Sequence, residues 1–193
     1  MQNEKKLRYY LINKPYGVLS QFTDSDNRKT LKSRFNFPED VYPVGRLDMD
    51  SEGLLLVIND KSLTEYLLNP KSRHEKEYFV QVEGIPTTEA LNRLCDGVVI
   101  EGIKTLPAKA KLIDEPGFET RTPPIRERKT IPTTWISLTI TEGRNRQVRK
   151  MTAAVGHPTL RLVRVRIKKL TLGKMKIGEV RELTKHEIEG LKK

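Results

Sequence analysis

The chain has 193 residues, 36% hydrophobic and 32% charged, a balance that suits one globular domain and excludes a disordered or solenoid protein. No run approaches the roughly eighteen apolar residues of a membrane span, residues 1–6 lack a signal peptide's apolar stretch, and a lone cysteine excludes an internal disulfide, so a cytosolic protein is expected. The net charge of +11 favours a polyanionic partner.

Residues 9–13 read as a strand closed by the turn Lys14-Pro15-Tyr16-Gly17, followed by a polar loop. Leu54 to Ile58 is a continuous apolar run, short enough for a strand covered on both faces. Asp60 can cap a helix that stops before Pro70. From Tyr78 to Val82 the alternation puts Tyr78, Val80 and Val82 on one face. A helix over 88–95 has Thr87 as its cap, Gly97 near its end, and Cys95 on its buried side. Strands are expected over 108–113 and 135–141. The intervening residues 115–132 carry four prolines with Arg121, Arg126, Arg128 and Lys129, the composition of a functional loop.

The stretch GRNRQVRKMTAAVGHP, 143–158, reads as a helix with Val148, Met151 and Val155 on one face and Arg146, Arg149 and Lys150 on the other. Val163, Val165 and Ile167 then alternate with Arg164, Arg166 and Lys168, which predicts a strand with one exposed row of cations. Thr184 and Glu187 form a capping box for a final helix. Residues 142–176 hold eleven basic side chains against the single acid Glu142, the footprint of an RNA, DNA or anionic membrane surface, unless the run serves only solubility. Strands punctuated by helices without regular alternation indicate an α+β fold with a largely antiparallel sheet.

The chemistry available is narrow. His74, His157 and His186 lack metal-ligand spacing, so no metal is expected, and the glycines match neither nucleotide-binding fingerprint. Carboxylates remain. Asp50 and Glu52 fit a polar turn, where a cap or a solvated side chain is the ordinary role. Asp48, between a turn glycine and a buried strand, would lose solvent and require a cation, which leaves it either a structural ion pair or a catalyst.

GRLDMDSEGLLLVIND, 45–60, resembles the catalytic motif of the pseudouridine synthases, in the branch of the small-subunit enzyme and its large-subunit relatives. NKPYGVL at 13–19, KEYFVQVEG at 76–84 and EGRNRQVRKM at 142–151 match the family's other motifs in the same order, and LSQFTD and PPIRERKTIPTTW resemble one subfamily of it. The resemblance implies that family's catalytic fold, a mixed, mostly antiparallel sheet in two lobes flanking an RNA-binding cleft.

It also implies isomerisation of a uridine to pseudouridine in large-subunit ribosomal RNA. Asp48 would be the catalytic carboxylate, Arg46 the side chain filling the place of the flipped nucleotide, and Tyr78 the aromatic packed on the base. Arg149 would pair with Asp48, Val148 would touch the site, and Lys14 would position the first motif. Arg144, Arg146, Lys150, Arg164, Arg166 and Lys168 would contact the RNA backbone. The base must leave its stack, be attacked and rotate. Asp48 could attack C1′, add at C6 or take a ribose proton; no cofactor is implied. Relatives often carry an N-terminal RNA-binding domain, whereas here substrate binding is expected to rest on a single catalytic domain spanning 1–193, acting as a monomer. A non-catalytic basic RNA-binding protein is the main alternative. A two-carboxylate glycosidase leaves the basic stripe unexplained, and no DNA-binding motif is present.

Overall fold

The computed structural model describes residues 6–125 and 130–193, so Arg126, Arg128 and Lys129 of the predicted loop lie outside the described residues. The first strand, β1 (Tyr9–Lys14), is followed by a segment in which the expected polar loop contains a short helix, α1 (Leu31–Arg34), and a two-residue strand, β2 (Tyr42–Pro43). The apolar run forms the middle of β3 (Glu52–Ile58), all seven residues of which are buried. α2 (Lys61–Leu68) starts where Asp60 accepts a hydrogen bond from Leu63 N–H, and β4 (Lys76–Glu83) buries Tyr78, Val80 and Val82 as its alternation predicts.

α3 (Thr88–Asp96) begins at Thr87, whose side chain accepts from Ala90 N–H, and ends at Gly97. Cys95 is only half-buried; its sulfur accepts from Ala110 N–H at the adjoining strand. A small hairpin of β5 (Val99–Ile100) and β6 (Ile103–Lys104) precedes β7 (Lys109–Ile113) and β8 (Thr133–Ile140). The basic helix α4 (Gln147–Ala154) leads into β9 (Thr159–Ile167), then β10 (Leu170–Thr171), β11 (Val180–Glu182) and α5 (Lys185–Lys192). The Thr184/Glu187 capping box is present. No helix among the described residues is long and apolar enough to cross a membrane.

Nine strands form one sheet in the order β11-β1-β3-β9-β4-β8-β7, with β2 added on β3 and β10 on β9. Every pairing is antiparallel except β3 with β9, and that parallel step joins only Glu52 to Val163 and Gly53 to Arg164. The sheet therefore consists of two halves joined at a short seam. One apolar cluster gathers Leu55, Tyr78, Val80, Leu138, Val148 and Met151; the other gathers Leu54, Leu56, Val163 and Leu191.

Two features hold the seam. A Cβ on Gly53 would lie 2.3 Å from the Arg164 carbonyl oxygen, so only glycine permits this approach. Glu52, expected in a solvated turn, is instead buried and accepts two hydrogen bonds from the Arg161 guanidinium, both at 2.9 Å. Arg161 also donates to Glu119 O at 3.0 Å and lies over the Phe118 ring. It thereby fastens the proline-rich loop across the seam.

Breaking this pair from one side leaves an uncompensated buried charge. Glu52→Gln and Arg161→Met should each cost about 3–5 kcal/mol, while an apolar replacement of both residues should recover a large part of the loss. Urea unfolding of the two single variants and the double variant measures this directly.

Candidate active site

Asp48 lies in the loop between β2 and β3, and the backbone around it is held from three directions. Ser20 Oγ donates to Leu47 O at 2.7 Å and accepts from Leu47 N–H at 3.0 Å. Gly17 N–H, in the Lys-Pro-Tyr-Gly turn, donates to Met49 O at 2.8 Å. Arg149 Nη2 donates to Asp50 O at 2.6 Å. Thus β1's turn and α4, distant in sequence, fix the loop in which Asp48 sits. Ser20 was not singled out from sequence, because nothing in its polar surroundings marks it as buried.

A cavity of about 590 Å³ opens beside this loop, lined by Arg46, Asp48 and Ser51 of the loop and by Tyr78, Leu162 and Arg164 of β4 and β9. Val148, Arg144 and Arg146 also line it. The structure thus gathers Arg46, Asp48, Tyr78 and Val148 around one space, with Arg46 exposed at its edge and Tyr78 buried. An apolar wall beside an aromatic ring and a carboxylate suits a flat, polar, extruded ring.

The expected Arg149–Asp48 pair is not formed. Arg149 Nε lies 3.4 Å from Asp50 Oδ2, and the cation facing Asp48 is Arg146, with Nη1 3.8 Å from Oδ2. Arg146 holds Asp50 in a two-pronged pair at 3.0 and 2.8 Å. The reason is the turn from Asp48 to Ser51, closed by Ser51 N–H donating to Asp48 O. It turns Asp50 toward α4 and leaves Asp48 facing the cavity. Burial alone would raise the Asp50 carboxyl, but hydrogen bonding to Arg146 and the Arg149 charge outweigh it and hold the group below the usual carboxylate range. Asp50, expected to be an ordinary turn residue, is the carboxylate that ties the loop to α4.

Lys14 does not reach the cavity surface. Its side chain is fully buried and donates to Pro15 O and Val18 O at 2.9 and 2.7 Å, clamping the first motif's turn. Burial pushes the amine down to about 7, against the opposing pull of Glu52, Asp50 and Asp48. Next to this turn the Arg121 guanidinium lies 4.0 Å above the Tyr16 ring.

The predicted exposed row of strand cations is corrected. Arg164 pairs with Tyr78 and Arg166 with Glu77, because a register shift between Glu77 and Tyr78 inserts one residue into β9. Neighbours on β4 point to opposite faces, so Arg164 and Arg166 do as well. Arg164 is buried, with Nε donating to Leu54 O at 2.8 Å. Arg166 is surrounded by acceptors: Glu77 at 2.7 Å, Glu75 at 3.1 Å and Lys168 O at 2.7 Å. Lys168 donates to Leu191 O and the Tyr66 hydroxyl, holding α5 to the sheet. Of the other cations, Arg144 donates to Ile100 O and Ile103 O in the β5–β6 hairpin, and Lys150 to Glu101.

A family model described as RNA pseudouridylate synthase matches residues 8–154. The ribosomal large subunit pseudouridine synthase E of Vibrio parahaemolyticus is 50% identical over 183 residues, covering 95% of this chain and 75% of the relative. That of Xanthomonas axonopodis is 55% identical over 159 residues, covering 81% and 84%. Ribosomal large subunit pseudouridine synthase B of Bacillus subtilis is 42% identical over 185 residues, covering 95% and 71%. A crystal structure of a pseudouridylate synthase superposes with a TM-score of 0.80 at 29% identity, covering 96% of this chain and 74% of that one.

Two expectations follow from these contacts. The folded Lys14 amine titrates near 7 and the unfolded one near ~10.4, so between those values the unfolded chain binds the extra proton and stability rises with pH. The advantage of wild type over Lys14→Met in urea melts should therefore grow as pH is raised from about 7 to about 10. Arg166→Gln should lower stability by about 1–3 kcal/mol, since it strips charge-assisted partners from Glu75 and Glu77. Its RNA affinity should keep the wild-type dependence on salt, checked by binding titrations at several salt concentrations.

Proposed function

Since the chain belongs to the RNA pseudouridylate synthase family, we propose that its substrate is large-subunit ribosomal RNA and that Asp48 carries the chemistry on one flipped uridine. The observation that supports this most directly is the division of labour between two carboxylates. Asp50 is engaged by Arg146 and Arg149, whereas Asp48 faces the cavity with Tyr78 and Val148 on its walls. The names of the relatives, large-subunit synthases E and B, support the choice of RNA.

In this reading the uracil ring enters the cavity and packs on Tyr78, with Val148 as an apolar contact. Arg46, exposed at the edge, occupies the place that the base leaves in its stack. The carboxylate acts on the nucleotide at C1′, C6 or the ribose; each route breaks the bond from C1′ to N1 and remakes it to C5 after the ring turns. Arg149 acts by holding the backbone of the Asp48 loop and by its positive charge nearby. Lys14 clamps the first motif's turn, whose Gly17 N–H in turn holds the Asp48 loop at Met49 O. The rim cations Arg144 and Arg146, together with Lys150, remain available for phosphate at the mouth, each exchanging an intramolecular acceptor for an RNA oxygen. The chain acts as a monomer in the cytoplasm without a cofactor, and its catalytic domain contacts the RNA.

Asp48→Asn keeps the shape of the side chain and removes the charge. Pseudouridine formation on large-subunit RNA should fall at least about a thousandfold, with binding and thermal unfolding near wild type. Substantial turnover by the folded variant would refute the assignment. Asp50→Asn should instead lower stability together with activity.

A further inference from the structure

Arg164 differs from every other arginine in the basic segment that is anchored in the sheet. All three guanidinium nitrogens of Arg166 are occupied, by Glu77, Lys168 O and Glu75, and Nε and Nη2 of Arg161 are taken by Glu52 and Glu119 O. Arg164 is 4% exposed, yet only its Nε is anchored, to Leu54 O. Its Nη2 is buried and has no hydrogen-bond partner among the described residues. The side chain lines the cavity that Asp48 faces. A buried donor of this kind is costly unless something in the site accepts from it.

Its position selects the acceptor. Arg164 is the direct cross-strand neighbour of Tyr78, so a ring lying on Tyr78 meets the guanidinium at its edge. A flipped nucleotide enters base first, while its phosphates stay on the backbone at the mouth. A donor in the central strands of the sheet therefore faces the ring and not a phosphate. Ser51 Oγ, also buried without a partner, lines the same cavity, which marks this space as built for a polar guest.

We propose that Arg164 is a specificity-determining residue of this site, with Nη2 donating a hydrogen bond to a carbonyl oxygen of the uracil ring, O2 or O4. The inference rests on the reading that this cavity receives the target uridine. Nε, held by Leu54 O, fixes the plane of the guanidinium so that Nη2 is aimed before the base arrives. A lysine at this position could serve one acceptor but not both in fixed geometry.

The test uses a fragment of large-subunit ribosomal RNA that the wild-type enzyme modifies, made with uridine, 2-thiouridine or 4-thiouridine at the modified position. Sulfur is the poorer acceptor. Single-turnover rates at saturating enzyme are compared for wild type, Arg164→Met and Arg164→Lys, with thermal unfolding and salt-dependent binding measured alongside. Arg164→Met should lose roughly ten- to a hundredfold in rate, the scale of one hydrogen bond to a charged donor, with RNA affinity and salt slope unchanged. Arg164→Lys should fall between the two. One thio substitution should slow wild type and add nothing to the loss in Arg164→Met.

A folded Arg164→Met that turns over at the wild-type rate overturns the proposal, as does a loss confined to affinity and salt slope. Both thio substitutions slowing wild type and variant by equal factors would do the same. Should Arg164→Met not fold, wild type alone decides, because indifference to both thio substitutions is incompatible with the bond. If wild type modifies no fragment, or Asp48→Asn modifies as well as wild type, it is the underlying reading that fails.

Discussion

The two halves of the sheet meet where β3 runs beside β9 for two residue pairs, and the buried Glu52–Arg161 pair clamps that meeting point. The half that begins with β1 and β3 supplies Asp48, four residues before Glu52. The half built on β9 and β4 supplies Tyr78. Their separation across the cavity is set by how closely β3 approaches β9, which Gly53 permits and the ion pair fixes in register. A buried pair of this kind contributes little net stability, since desolvation offsets its attraction. Its geometric demand is strict all the same, because two parallel hydrogen bonds admit one alignment of the strands.

This constraint changes the meaning of the chain's charge. Within residues 142–176 the sequence shows eleven cations and one acid, which reads as a free basic surface. In the fold, acids from remote segments meet several of them: Asp50 meets Arg146 and Arg149, Glu52 meets Arg161, Glu75 and Glu77 meet Arg166, and Glu101 meets Lys150. Local charge density counts neighbours along the chain, whereas the pairing that neutralises it runs between elements. The attraction for RNA then depends on cations at the rim that can exchange partners, and on the overall excess of positive charge.

Much of the scaffold was legible because its signals are local. The apolar run of β3, the Asp60, Thr87 and Thr184 caps and the alternation of β4 each depend on residues within a few positions of one another. The grouping of Asp48, Arg46, Tyr78 and Val148 was implied by motif resemblance, and in the fold all four line one cavity. The partners of Asp48 and Asp50 were not legible. Two carboxylates two residues apart differ in role only through the turn between them, and that turn is closed by a backbone bond from Ser51 to Asp48 that composition does not encode. Ser20 is invisible for the same reason, since its hydroxyl matters only through the Leu47 backbone it touches.

The one-residue insertion in β9 bears on which changes in length the strand can accept. Because it divides β9 into two stretches of opposite phase, side chains before it and after it answer to different surroundings: Leu162 and Arg164 to the cavity, Arg166 to the carboxylates of Glu75 and Glu77. Point substitutions act on one environment at a time. Removing Val165 would leave Arg164 opposite Tyr78 and Arg166 opposite Glu77, each on its present face, whereas pairing Val165 regularly without shortening the strand would turn Arg166 to the Tyr78 side, exchanging a satisfied ion pair for a buried charge without changing any charged residue. Alignments of β9 across homologous chains should therefore admit a gap at this one position, since its loss keeps both arginines on the faces they now occupy.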